Sequence, residues 1–197
     1  MYVKYIKRIC DLFIAFISLI VLSPFLIIIS AAVIIDSPGP AIFKQERLGL
    51  DGKTFILYKF RTMCVGAEQG GVYSGKGDSR VTKVGHILRR YSLDELPQLL
   101  CVLAGTMSLI GPRPPLTYHP WIYADYTGEQ KKIFEVRPGI TGLAQISGRN
   151  AVAWDKRFEI NIWYSQHLSL ALDLRIFFGT IYVVLSHKNV LSEETQK

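Results

Sequence analysis

Ser92-Leu-Asp-Glu-Leu-Pro-Gln98 sets two adjacent carboxylates, Asp94 and Glu95, at the start of an apolar-periodic helix. Two kinds of chemistry fit that placement. The first is structural: Ser92-x-x-Glu95 matches a capping box, and acidic side chains suit the positive end of a helix. Pro97 is comfortable only in a first helical turn, which draws the start of the helix towards Asp94. The second is catalytic. A helix N-terminus collects anions and can hold a metal-bound phosphate, where a carboxylate can attack phosphorus as a nucleophile. The dyad alone does not decide between them.

Cations beside stiff turns add weight to the second reading. Gly111-Pro-Arg-Pro-Pro115 fixes Arg113 in a rigid turn, so its guanidinium has little freedom left to lose. Arg137-Pro-Gly139 with Thr141-Gly142, and then Gly148-Arg-Asn150, place further arginines beside glycines where backbone amides can approach a ligand. Tyr58-Lys-Phe-Arg-Thr62 supplies two more cations. Each cluster taken singly is a surface charge or a structural turn; together with the acidic pair they point to phosphoryl transfer with a divalent metal. Gly70 to Gly77 only imitates a nucleotide-binding P-loop. Gly77 stands where that motif needs Ser or Thr, and no helical pattern follows; a mobile flap is the better expectation. Cys10, Cys64 and Cys101 are odd in number and irregularly spaced, so neither a disulfide framework nor a zinc site follows from them.

These groups must be positioned by a chain of 197 residues, long enough for one domain with a buried core. Hydrophobic residues make up 49%, and most of the excess lies in the first 36 positions. Leu12 to Ile35 form an uncharged run long enough as a helix to cross a bilayer core. Ser23-Pro24 sits near its middle. A kinked spanning helix and a re-entrant helix–break–helix both fit, and basic residues on both flanks (Lys4, Lys7 and Arg8; Lys44, Arg47 and Lys53) favour return to one face. Residues 1–36 therefore read as a membrane anchor and 37–197 as the catalytic domain. Ala41–Phe43 and Thr54–Tyr58, separated by the Gly49–Gly52 turn, predict a hairpin. Helical patterns follow near Lys83–Arg90, Asp94–Leu103, His119–Phe134, Ala153–His167 and Leu172–His187. The last two carry aromatic and aliphatic stripes (Trp154, Phe158, Ile162, Trp163; Ile176, Phe177, Ile181, Val184) that suit either a core or a membrane interface. The fold class expected is mainly α with a small β-hairpin element. The formal charge of +7 attracts phosphates and anionic lipid; no nucleic-acid-binding signature accompanies it.

At this point the chain resembles the bacterial sugar transferase family, the small monotopic phosphoglycosyl transferases. The blocks that carry the resemblance are Lys7-Arg8 with Asp11, Ser23-Pro24, Phe43-Lys-Gln-Glu-Arg47, Tyr58-Lys-Phe-Arg-Thr-Met63, Ser92–Gln98, Ser108-Leu-Ile-Gly-Pro-Arg-Pro114, Val136–Gly142 and Gly148-Arg-Asn150, in that order across nearly the whole chain. The length resembles the minimal catalytic version. The resemblance implies transfer of a sugar-1-phosphate from a UDP-sugar to polyprenyl (undecaprenyl) phosphate, with UMP released. Asp94 matches the nucleophile that forms a covalent aspartyl sugar-phosphate, and Glu95 the second acid, which binds magnesium or assists proton transfer; the two are the expected ligands of Mg2+. Lys59, Arg89, Arg113, Arg149 and Asp173 match polar substrate-binding positions. The resemblance also implies a re-entrant anchor, a place at the bacterial inner (cytoplasmic) membrane with the catalytic domain on its cytoplasmic face, and room for a homodimer. The competing reading is a non-catalytic basic protein that binds anionic lipid at the membrane surface. Which sugar is transferred is not legible.

Overall fold

The computed structural model describes residues 2–71, 77–148 and 154–186. After a single π-helical turn, Tyr2–Ile6, the chain enters α1, Lys7–Asp36, a helix of 30 residues. The expected interruption at Ser23-Pro24 does not end it; Pro24 lies inside one helical element. The local chemistry shows why. Pro24 has no N–H to give to the carbonyl of Ile20 four residues earlier, and the Ser23 hydroxyl donates to that same oxygen at 2.8 Å. A side chain thus supplies the bond the backbone lost, as polar residues do in helices surrounded by lipid.

One stripe of α1 is buried: Asp11, Ala15, Ile29 and Val33, with Leu19 and Leu26 packed on the same line. Spacings of three, four and seven keep these residues on one face. The other face exposes Phe13, Phe16, Ile20, Val21, Ile28 and Ile35. Both ends are tied to the globular body. Near the start, Asp11 is 5% exposed and accepts from the Ser108 hydroxyl at 2.6 Å and the Leu109 amide at 3.2 Å. Arg8 donates to the Val102 carbonyl at 2.9 Å. At the far end, Asp36 accepts from the Val84 amide at 2.8 Å, and Arg61 donates to the Ser37 hydroxyl at 2.8 Å.

The hairpin is present and longer than its apolar runs suggest: β1, Ile42–Leu48, pairs antiparallel with β2, Thr54–Phe60. α2, Lys83–Arg90, starts at Thr82, whose side chain accepts from the Gly85 amide. A 3-10 turn, Leu93–Gln98, leads directly into α3, Leu99–Leu103. β3, Ser108–Ile110, pairs parallel with β4, Gly139–Thr141, a two-stranded element absent from the sequence reading. Between them the expected helix over His119–Phe134 is broken up. Pro120 restricts the residue before it, and only the capping box of Thr127 with Gln130 starts α4, Gly128–Lys131. α5, Leu143–Ile146, α6, Trp154–Gln166, and α7, Leu170–Ser186, complete the chain. Phe55, Leu57, Leu99, Val102 and Met107 enclose Ala15 of α1, while Tyr126, Phe134 and Phe158 form a separate aromatic cluster. α7 buries Asp173 and Ile176 but leaves Leu174, Phe177, Phe178, Ile181, Tyr182 and Leu185 exposed. The interfacial alternative for its stripe therefore has an exposed apolar face behind it.

α2 can approach β2 only because residue 85 has no side chain: a Cβ there would lie 2.1 Å from the Thr62 carbonyl oxygen. Overpacking against backbone costs roughly 1–3 kcal/mol. Gly85→Ala should lower the thermal midpoint by several degrees, whereas Gly128→Ala, which meets open space, should not; differential scanning fluorimetry of the two variants checks the contrast.

Candidate active site

The chain leaves α2 through Tyr91 and Ser92, and Ser92 adopts a left-handed conformation with φ 56° and ψ 23°. A non-glycine residue held there carries strain of the order of 1 kcal/mol, and it lies two residues before Asp94. Ser92 forms no side-chain cap, so the predicted capping box is not made. Glu95 instead turns its carboxylate to two cations. Its Oε1 accepts from Lys59 Nζ at 3.0 Å and from Arg113 Nη2 at 2.9 Å.

Those cations arrive from separate elements. The β1–β2 register sets Phe43 opposite Lys59, Gln45 opposite Leu57 and Arg47 opposite Phe55. Directly opposed residues share a face, so Lys59 and Arg47 stand on one side of the hairpin, the side that buries Phe55 and Leu57. Arg47 donates to the Pro114 carbonyl at 3.0 Å and is braced by Gln45 Oε1, while the Leu48 amide donates to the Pro115 carbonyl. β1 thereby holds the loop that carries Arg113. From the other side the loop is fixed by backbone crossings: Gly111 N–H donates to Thr141, and Gly139 N–H to Pro112. A Cβ on Gly111, Gly139 or Gly142 would fall 2.0–2.4 Å from a backbone atom of this crossing. The glycines that suggested backbone approach to a ligand bring backbones to one another. Arg89, on α2, donates from Nε to the Thr62 hydroxyl at 2.9 Å.

Electrostatics separate the two acids. Burial pushes the Asp94 carboxyl up, opposed by Lys59; the charge of Glu95 pushes it further up, and Arg89 and Arg113 pull it back, with a net rise. Burial acts on Glu95 in the same direction, but Arg113 and Lys59, each through charge and a direct hydrogen bond, hold it well below the usual carboxylate range. Burial lowers the Lys59 ammonium and pushes the Arg47 guanidinium down to about 10. Glu95 is thus held as an anion by its two cations, while the Asp94 carboxyl is displaced the other way. Two acids driven apart in this way are suited to different roles.

Among the described residues no hydrogen bond reaches the Asp94 carboxylate, and only Oε1 of Glu95 is engaged. The free oxygens suit a hard divalent cation, but no group of three His, Cys, Asp or Glu side chains gathers among the described residues. The pair fits Mg2+ only as an ion shared with phosphate oxygens and water, a common arrangement for that ion.

Of the residues picked out from sequence, Asp94, Glu95, Lys59, Arg89 and Arg113 come together. Arg149 lies outside the described residues, as does the middle of the glycine-rich segment. Asp173 belongs to another network: its carboxylate, 4% exposed, accepts from Tyr2 at 2.5 Å, Lys7 at 2.6 Å and Tyr164 at 2.7 Å. It joins the entry to α1 with α6 and α7. Arg47 was missed as a site residue, although hairpin alternation would have put it on the face of Lys59. Gln98, 2% exposed, was missed as well.

Residues 2–187 match the family model described as bacterial sugar transferase. The uncharacterized sugar transferase EpsL of Bacillus subtilis is 45% identical over 186 residues, covering 94% of this chain and 90% of that protein. The UDP-glucose:undecaprenyl-phosphate glucose-1-phosphate transferase of Klebsiella pneumoniae is 43% identical over 89% of this chain and 39% of its own length. The UDP-N-acetylgalactosamine-undecaprenyl-phosphate N-acetylgalactosaminephosphotransferase of Aeromonas hydrophila is 40% identical over 92% and 44%. The chain therefore spans about two-fifths of these last two relatives.

Because Lys59 lowers the Asp94 pKa, removing its charge must raise it. In Lys59→Met the titration midpoint of Asp94, followed by carboxyl 13C NMR, should move to higher pH; an unchanged or lower midpoint would contradict the charge arrangement.

Proposed function

The chain belongs to the bacterial sugar transferase family, and from that premise we propose that it transfers a sugar-1-phosphate from a UDP-sugar to undecaprenyl phosphate. The observation that carries this reading is the Asp94 carboxylate, which takes no hydrogen bond among the described residues, beside Glu95 held by Lys59 and Arg113, with Arg47 and Arg89 close enough to act on the pair by charge. A diphosphate repels an approaching carboxylate until its charge is balanced, and cations fixed in place supply that balance without reorganising. Ionised Asp94 then attacks the β-phosphorus in line. The bond from that phosphorus to the bridging oxygen breaks, UMP leaves with the electron pair, and a sugar-phosphoryl aspartate remains. An oxygen of undecaprenyl phosphate attacks the same phosphorus, and Asp94 departs as carboxylate. Glu95 keeps Lys59 and Arg113 aimed at the dyad throughout. Magnesium bound by Asp94 and Glu95 together with phosphate oxygens would supply further charge neutralisation. The relatives differ in the sugar their names state, so the sugar is not assigned here.

We place the enzyme at the cytoplasmic membrane, on the face where UDP-sugars are found. The apolar outer faces of α1 and α7 suit an interface, where an acceptor too apolar to leave the bilayer must be met. Re-entry of α1 is supported by its attachments, since Arg8 and Asp11 at one end and Asp36 at the other bind the same body, although the helix runs unbroken through Pro24. A purely lipid-binding protein leaves the pairing of Glu95 with Lys59 and Arg113 without a use.

Asp94→Asn should reduce UMP release by about 10³-fold or more with an unchanged thermal midpoint. Wild type incubated with sugar-labelled UDP-sugar and no lipid should carry label on Asp94; persistent absence of label would exclude the covalent route. In a background with Cys10 and Cys64 replaced by serine, Tyr5→Cys and Pro40→Cys should both react with an impermeant thiol reagent from the cytoplasmic side only. Reaction on opposite sides would restore a spanning helix.

A further inference from the structure

Gln98 ends the 3-10 turn that carries the dyad. In such a turn residues three apart eclipse one another, so Gln98 lies in line with Glu95. Its side chain is 2% exposed, and its Nε2 has no hydrogen-bond partner among the described residues. A buried amide donor left unpaired is a stability cost that native chains carry where something outside the protein satisfies it. Here the surroundings point to what that is. Gln98 lines a narrow recess together with Arg47, Leu57, Lys59, Arg113 and Pro114. Three cations and one orphaned donor around a single recess fit an anion with several acceptor oxygens.

We propose that Gln98, with Arg47, Lys59 and Arg113, forms a subsite for one phosphoryl group of the donor's diphosphate, and that the Gln98 amide donates to a phosphate oxygen. The inference rests on the phosphoglycosyl-transfer reading, since it is the donor that brings a diphosphate to these side chains. It adds a neutral, buried donor to the cations. A cation can attract phosphate from many directions, whereas an amide held by burial accepts one position of the oxygen. Gln98 therefore sets where the diphosphate rests relative to Asp94.

The test uses two variants of similar size in the full chain in lipid nanodiscs. Gln98→Met removes the orphaned donor and should leave the thermal midpoint unchanged or raised. Gln98→Glu places a carboxylate among cations, keeping the fold while repelling an anion. UDP and inorganic pyrophosphate, which share only a diphosphate, are the probes in calorimetric titration. Both variants should bind both probes about tenfold more weakly, and Gln98→Met should raise KM for the UDP-sugar by a similar factor. Unchanged affinity in either variant overturns the subsite. So does a fall in the midpoint of Gln98→Met with affinity retained, which would show that the amide holds a structural water. Loss confined to UDP would assign Gln98 to the nucleoside and overturn the proposal equally. Wild-type UMP release that persists in Asp94→Asn would instead overturn the transfer reading, so the two failures are distinguishable.

Discussion

Oε1 of Glu95 accepts hydrogen bonds from Lys59 and Arg113, and three pieces of chain meet there. Lys59 comes from β2, Arg113 from the proline-rich loop after β3, and Glu95 from the turn after α2. Partly buried cations with no anion between them would repel one another and be forced apart or discharged. Glu95 makes their assembly tolerable, and because it is held ionised it does so without consuming Asp94. The remaining architecture can be understood as support for that contact. β1 braces the arginine loop through Arg47 and Leu48, the crossing of β3 and β4 fixes it from behind, and the missing side chain at Gly85 lets α2 bring Arg89 close.

The anchor is joined to this assembly rather than attached to it. Ala15 is fully buried in the cluster formed by Phe55, Leu57, Leu99 and Met107, and Leu57 and Leu99 flank the residues of the site. Ile29 and Val33 pack with Phe60 and Leu88 beneath the other end of the hairpin. The position of the dyad relative to α1 is therefore set by side-chain packing, and α1 packs against the body on one face while exposing an apolar surface on the other.

Much of this was legible in the sequence. The apolar run, the hairpin and the patterns over Lys83–Arg90 and the last two helices rest on local periodicity, and all appear close to their expected bounds. The dyad, Lys59 and Arg113 stood out by residue type and spacing, whereas Arg89 came from the family resemblance alone. What escaped notice depends on contacts distant in sequence. The pairing of β3 with β4 joins three-residue strands some thirty residues apart, too short for any periodic signal. The helix expected over His119–Phe134 came from counting apolar positions without giving Pro120 its weight. The use of Ser23 as a replacement donor for Pro24, the turning of Glu95 away from a cap, and the burial of Gln98 all depend on what lies opposite, which spacing alone does not reveal.

The bond between Tyr2 and Asp173 spans 171 positions, and that between Asp11 and Ser108 spans 97. Loop-closure entropy grows only slowly with length, so tying such distant segments together costs little more than tying near ones. The consequence is mechanical: a displacement of the first turns of α1 is passed through Asp173 to α6 and α7, and through Asp11 to the strand that leads into the Arg113 loop.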